Sequence, residues 1–300
     1  VVGVIFLGTV VKPKRGKMFY RKGDRVRHPI KEDWGLGKVL ANSNGEKVDV
    51  FFVDAGEKTI LLKYVEPIKV KGEESNHGGL DHLKATDTGV KYQRFSKLTE
   101  NFLEAYPDGF QNEKFAGEDR AKKEKAHEMA FDLLPKDRFA ELIEAKDFAE
   151  ITQRALKILN ATTLILPNER LALKNGLAEE RSQEMFSKAL FELLYSDDEL
   201  KDRFERFSTV LGLVGAGKWT LATYFLFVFY PEKHMFVKPK LMQQSADVCR
   251  FELNYKAQLN WQTYESVLYF ADYVSTELSE LHPKDMMDVK GFIWHTAATA

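Results

Sequence analysis

The sequence predicts an α+β chain, in which a small N-terminal β-barrel precedes a larger all-α domain. Three observations carry this. Residues 20–62 are short β-branched segments split by turn residues, the apolar period changes to 3.6 after Tyr92, and a polar stretch with neither period lies between. With 300 residues, 44% apolar and 12% aromatic, both parts have material for a core.

The first element is an N-terminal extension, residues 1–17. Residues 1–11 are apolar, and the basic Lys12, Lys14, Arg15 and Lys17 follow the run instead of preceding it, which is the reverse of a secretory signal. An extra edge strand, or an upstream extension ahead of Met18, is expected. The formal net charge of −1 hides an asymmetry. Residues 1–72 hold 15 Lys and Arg against 8 Asp and Glu, while the remainder holds 29 against 37. A basic module thus precedes an acidic one, and charge alone does not choose between phosphates and an acidic protein as its partner. The single cysteine, Cys249, excludes an internal disulfide and a cysteine-rich zinc site. The longest apolar run, around residues 221–230, falls short of the roughly 20 residues that cross a bilayer. A cytoplasmic protein with no membrane span is expected.

The barrel is assigned to residues 18–72. Its strand segments are Asp24-Arg25-Val26-Arg27-His28, Gly37-Lys38-Val39-Leu40, Lys47-Val48-Asp49-Val50-Phe51-Phe52-Val53 and Lys58-Thr59-Ile60-Leu61-Leu62. Asn42-Ser43-Asn44-Gly45 is a hairpin turn, because Asn-Gly accepts the positive φ of tight β-turns. Four or five short strands in so few residues mean a strongly bent sheet. Val50-Phe51-Phe52-Val53-Asp54 has the form of a nucleotide-site strand, but Asp54 falls in the turn before Gly56 and is assigned to turn chemistry.

Gly23-Asp24-Arg25-Val26-Arg27-His28-Pro29, Trp34-Gly35-Leu36-Gly37-Lys38-Val39, Val50-Phe51-Phe52-Val53-Asp54-Ala55-Gly56-Glu57-Lys58-Thr59 and Val65-Glu66-Pro67-Ile68 resemble the Tudor-like (SH3-like) barrel that ends UvrD/PcrA-type helicases. A stand-alone bacterial family of unknown function shares this pattern. In the helicases the barrel contacts RNA polymerase, so the resemblance implies a docking module. Arg25, Arg27, His28, Trp34 and Lys38 alternate with core positions and are the candidate partner-binding residues. Alternatively, His28-Pro29 and Gly35-Leu36-Gly37 only shape turns and the arginines are a solvated face.

A linker is assigned to residues 73–92. His77, Asp81 and His82 lie in it, but with no further ligand in register they form a surface cluster and no metal or other cofactor is expected. The all-α domain, residues 93–300, follows. Its apolar stripes are Phe95, Leu98, Phe102 and Leu103; Ala126, Met129, Ala130, Leu133 and Leu134; and Phe139, Leu142 and Ile143 after Pro135. Further helices are expected over residues 147–161, 168–176, 179–195, 198–211, 239–250, 260–281 and 284–294, and residues 118–125 are expected as a solvated helix face of mixed charge.

The segment of greatest interest is Gly212-Leu213-Val214-Gly215-Ala216-Gly217-Lys218-Trp219-Thr220-Leu221-Ala222. It satisfies most of a phosphate-loop pattern, but Trp219 stands where Ser or Thr must bind magnesium. Thr220, one place late, points about 100° away round a helix. The segment before it is also helical, not a strand. The stretch from Leu213 to Ala222 resembles the hairpin of the helix-hairpin-helix DNA glycosylase superfamily. The N–H groups of Gly215, Gly217 and Lys218 at a helix start can then face a phosphate. Lys218, Thr220, Lys238 and Lys240 complete the candidate nucleic-acid-binding set, with Lys contacts that carry no sequence information.

The resemblance also implies an essential aspartate about where Phe236-Val237-Lys238-Pro239 lies. Lysine occupies that place, and the lysine of bifunctional members falls at Trp219. No catalytic residue is assigned. The alternative for the turn is that Gly215 and Gly217 only end one helix and start another, with Trp219 and Tyr224 in the core. The expectation is a non-catalytic accessory protein of nucleic-acid metabolism, with DNA and RNA polymerase as candidate partners. A pure protein adaptor is the second possibility and an active glycosylase or lyase the third.

Overall fold

The computed structural model describes residues 19–85 and 89–298, of which 118 and 119 as backbone only. The expected N-terminal extension lies outside the described residues. The chain divides into two compact units, Val1–Asn76 and His77–Ala300.

In the first unit β1 (Arg25–Arg27), β2 (Leu36–Val39), β3 (Lys47–Phe52), β4 (Gly56–Leu61) and β5 (Ile68–Val70) form one antiparallel sheet of order β4-β3-β2-β1-β5. The sheet is open, with β4 and β5 at its edges. Arg25 faces Lys38 and Val70, and Val50 is placed between Val39 and Lys58. Alternation sends Val26, Val39, Val48, Val50, Phe52 and Ile60 inward around Tyr20. The Tyr20 hydroxyl donates to the Pro67 carbonyl at 2.8 Å, which satisfies a buried polar group and ties the first described residues to the entry of β5. The β2–β3 turn forms for the reason given by its sequence. Gly45 takes φ +82°, and the Asn44 side chain accepts from the N–H groups of Glu46 and Lys47.

The second unit is helical among its described residues. Its elements are α1 (Gly78–Asp81), α2 (Phe95–Ala105), α3 (Glu113–Phe115), a π-helical turn (Ala116–Arg120), α4 (Ala121–Leu133), α5 (Lys136–Glu144), α6 (Phe148–Asn160), α7 (Pro167–Gly176), α8 (Glu180–Tyr195), α9 (Leu200–Leu213), α10 (Trp219–Phe229), α11 (Pro239–Val248), α12 (Trp261–Glu277) and α13 (Met286–Ala298). Local signals set several starts. Asp147 and Asn260 accept from the N–H groups of Glu150 and Thr263 at the heads of α6 and α12, and Pro167 and Pro239 open α7 and α11. Every residue of α10 is buried, so the apolar run is the helix around which the others pack.

Two segments differ from expectation. Residues 77–84 belong to the helical unit: His77 caps α1 and lies 3.5 Å from Glu277, His82 stacks on Phe251 and Tyr269, and Leu80 is buried. Polar composition there conceals an anchored segment. The mixed-charge run is not a solvated face either, because Arg120 and Lys123 are buried. The Arg120 guanidinium donates to Asp285 and Asp288 near the start of α13 and to Glu124. Burial disfavours its charge, but the two aspartates outweigh that and raise its pKa; its hydrogen bond holds Glu124 below the usual carboxylate range. The two aspartates come from some 165 residues downstream.

Candidate nucleic-acid interface

Helix α9 ends for a local reason. Gly215, at φ +72°, takes the left-handed conformation after the last turn; its N–H donates to the Gly212 carbonyl at 3.1 Å, and that of Ala216 to Leu211 at 2.8 Å. The buried pair Leu211 and Ala216 closes this helix end. The Lys218 N–H then donates to the Ala216 carbonyl at 2.7 Å, and Lys218 occupies the position before α10. Of the three N–H groups expected to face a phosphate, those of Gly215 and Lys218 are therefore spent inside the turn. That of Gly217 has no intramolecular acceptor among the described residues. Gly217 and the Lys218 side chain are exposed, while Trp219 and Thr220 are buried.

Helix α7 lies against this hairpin. At Gly176 any side chain would collide with the Val214 carbonyl, 1.9 Å from an ideal Cβ, so only glycine permits the approach. At the other end of α7 the Glu169 carboxylate accepts from the Thr220 hydroxyl at 2.9 Å and from the Leu166 N–H at 3.0 Å. A negative charge thus sits beside the first turn of α10, where a helix N-terminus favours an anion. Thr220 serves this contact. Sequence spacing gave no signal of it, since Glu169 is 51 residues away.

The next turn of α10 connects the hairpin to Lys238. The Thr223 hydroxyl donates to the Trp219 carbonyl at 2.8 Å and accepts from the Val237 N–H at 2.9 Å. Phe236 packs on Tyr224 and Phe227. The start of α11, with Lys238 half-buried and Lys240 exposed, is thereby pinned to the first two turns of α10.

Lys238 also borders a cavity of about 590 Å³. Lys114 of α3 and Lys290 and His295 of α13 also line it, and no carboxylate is among its described lining residues. Lys290 and Trp294 lie one turn apart on one face of α13, and His295 follows Trp294. Lys290 is buried, and its ammonium lies 3.5 Å from the centre of the Trp294 ring. Lys114, Lys290 and Trp294 were not singled out in the sequence; they come from elements far apart in the chain, with the acidic surplus around them obscuring the cluster.

In the β unit Arg25 and Lys38 form a cross-strand pair, Arg27 is exposed, and Trp34 is half-buried against Phe52 with centroids 5.2 Å apart. His28 lies 4.7 Å from Trp34. Partial burial and then Lys31 lower its pKa, which keeps the ring neutral at pH 7 and lets Nδ1 accept from the N–H groups of Ile30 and Lys31. His28 is therefore engaged in its turn.

Among the described residues no helix is long and apolar enough to cross a membrane. Residues 20–70 match a family described as a protein of unknown function (DUF3553), and the match spans the five strands. No curated protein and no solved structure matches the chain.

Proposed function

We propose that the helical unit holds a nucleic-acid backbone without cutting it and that the β unit docks on a protein partner, which makes the chain an accessory protein of nucleic-acid metabolism. The observation that carries this is the Thr223 to Val237 hydrogen bond. Through it the hairpin bearing Gly217 and Lys218 and the helix start bearing Lys238 and Lys240 share one frame, and their ammonium groups can track a phosphate chain without reading bases. Lysine at 238, where the glycosylase-like pattern has its acid, adds attraction for phosphate in place of a group for bond cleavage. Gly215 and Thr220 support the set indirectly, by ending α9 and by tying α10 to α7.

The test is a gel shift at low salt with duplex and single-stranded DNA. Lys218→Ala with Lys238→Ala should weaken binding at least about tenfold and lower the salt slope by about 2. Absent binding by the wild type, or a double variant that binds equally well, removes the proposal; strand cleavage of an abasic oligonucleotide at protein excess removes its non-catalytic half.

For the β unit, the resemblance to the helicase barrel and the half-buried Trp34 beside exposed Arg27 support docking on RNA polymerase. Purified bacterial polymerase should co-elute with the wild type and lose the chain on Trp34→Ala or Arg27→Ala. Failure of the wild type to co-elute counts against that partner.

A further inference from the structure

Helices α8 and α9 turn Phe186, Leu190, Phe204 and Phe207 into the core, and a further stripe of each lines a groove of about 590 Å³. One wall carries Met185, Ala189 and Glu192, spaced i, i+4 and i+7; the other carries Asp202, Glu205 and Thr209, spaced i, i+3 and i+7. Each wall is thus one face of a helix, and the groove runs along the pair for about 10 Å, or two turns. Ala189 is buried at its floor, with half-buried Met185 and Val210 beside it. A small residue between larger ones leaves a hole of the kind that a large side chain of a third helix fills. One turn beyond Val210 stands Leu213, 69% exposed, so the apolar strip continues to the end of α9.

The charges around this strip are unequal in their freedom. Lys188 and Arg206 line the groove, but Glu184 pairs with the first at 2.6 Å, and Glu192 at 2.8 Å and Asp198 pair with the second. Asp202 and Glu205 are exposed and have no cationic partner among the described residues. The uncompensated charge on the rim is therefore negative, which opposes a phosphate backbone and suits a partner whose own rim is basic.

We propose that this groove receives an amphipathic helix of a protein partner, with a large apolar side chain over Ala189 and Lys or Arg beside Asp202 and Glu205. A helix matches the walls because both repeat at helical spacing, whereas the side chains of an extended strand alternate with period two. None of the candidate nucleic-acid contacts lines the groove, so the proposal stands independently of the DNA reading.

The probe is a fluorescein-labelled synthetic peptide of about three helical turns, with leucines at i, i+3, i+4 and i+7 and lysines flanking them. One control has glutamates for the lysines, and the other has the lysine peptide's composition in an order with no apolar face. Fluorescence anisotropy with the full-length protein at low salt should give the lysine peptide at least about tenfold tighter binding than either control. Ala189→Met fills the hole and should weaken that binding about tenfold. If Ala189→Met lowers the thermal melt, Thr209→Arg, on the exposed wall, is read in its place and should weaken binding as much. Asp202→Asn with Glu205→Gln should leave the melt unchanged and remove the preference for lysine over glutamate flanks. Absent binding of the lysine peptide, equal binding of the reordered control, or affinity indifferent to every variant overturns the proposal. A lysine preference that survives the charge variant removes the basic partner chemistry. Sedimentation of the protein alone decides the remaining occupant: a dimer that the groove-filling variant dissociates would assign the groove to a second copy and overturn the partner helix.

Discussion

His234 shows how a residue without a part in the candidate site still sets a measurable property. It follows α10, is 8% exposed, and its ring lies 6.3 Å from that of Tyr230. Burial, then Arg203 and Lys233, push its pKa from 6.5 down to about 4. The folded state therefore keeps it neutral where the unfolded chain is protonated. The unfolded state binds the extra proton below pH 6.5, so stability is full above that value and falls as the pH drops towards 4. Between pH 7 and pH 5 the loss from this one group is about 2 kcal/mol. Urea unfolding at the two pH values measures it, and His234→Gln should remove most of the difference. An equal acid loss in that variant would assign the effect to other groups. Cys249 is the contrasting case: burial, with Glu277 adding to it, pushes its thiol up to about 12, so it stays protonated and behaves as a small core residue.

At the scale of elements, the hairpin is both a helix stop and a candidate phosphate contact, and Glu169 bears on which role dominates. Its carboxylate beside the first turn of α10 opposes any phosphate brought to Gly217 and Lys218. At a separation of about 6 Å in water the penalty is about 0.7 kcal/mol, a factor of about three in affinity. Glu169→Gln keeps an acceptor for Leu166 and a partner for Thr220, so it should tighten DNA binding about threefold at low salt and lose that gain at high salt. Unchanged affinity would place the DNA path away from the hairpin. The hairpin was legible because its signals are local: a glycine in the left-handed region, a buried apolar helix after it, and turn residues between. The Glu169 contact, the Arg120 cluster and the lysine-lined cavity were not, because each joins side chains 51 or more residues apart and no period or motif records that pairing.

For the whole molecule, the strand pattern and the change to a 3.6 period place the two folds in the sequence, and composition misplaces their junction. Residues 77–84 are polar and glycine-rich, yet they close the helical unit. Gly78 and Gly79 lie against the Tyr273 ring, Leu83 bridges Phe251, Lys84 pairs with Asp247 at 2.8 Å, and the His82 carbonyl accepts from the Glu252 N–H at 2.7 Å. An ideal Cβ at Gly79 would come within 2.9 Å of Tyr273, so the glycines that resemble linker residues permit close packing. All the candidate nucleic-acid contacts, from Gly215 to Lys240, fall after this segment. A fragment beginning at His77 should therefore melt cooperatively and keep the binding of the full chain. One beginning at residue 93 exposes the surface that buries Leu80 and loses the Leu83 and Lys84 contacts, at a cost of about 3 kcal/mol or more. The comparison is a thermal melt and a gel shift on both fragments. Equal melting temperatures would show that residues 77–84 only rest on the helices, whereas a lower melt with retained binding separates their contribution to stability from the site itself.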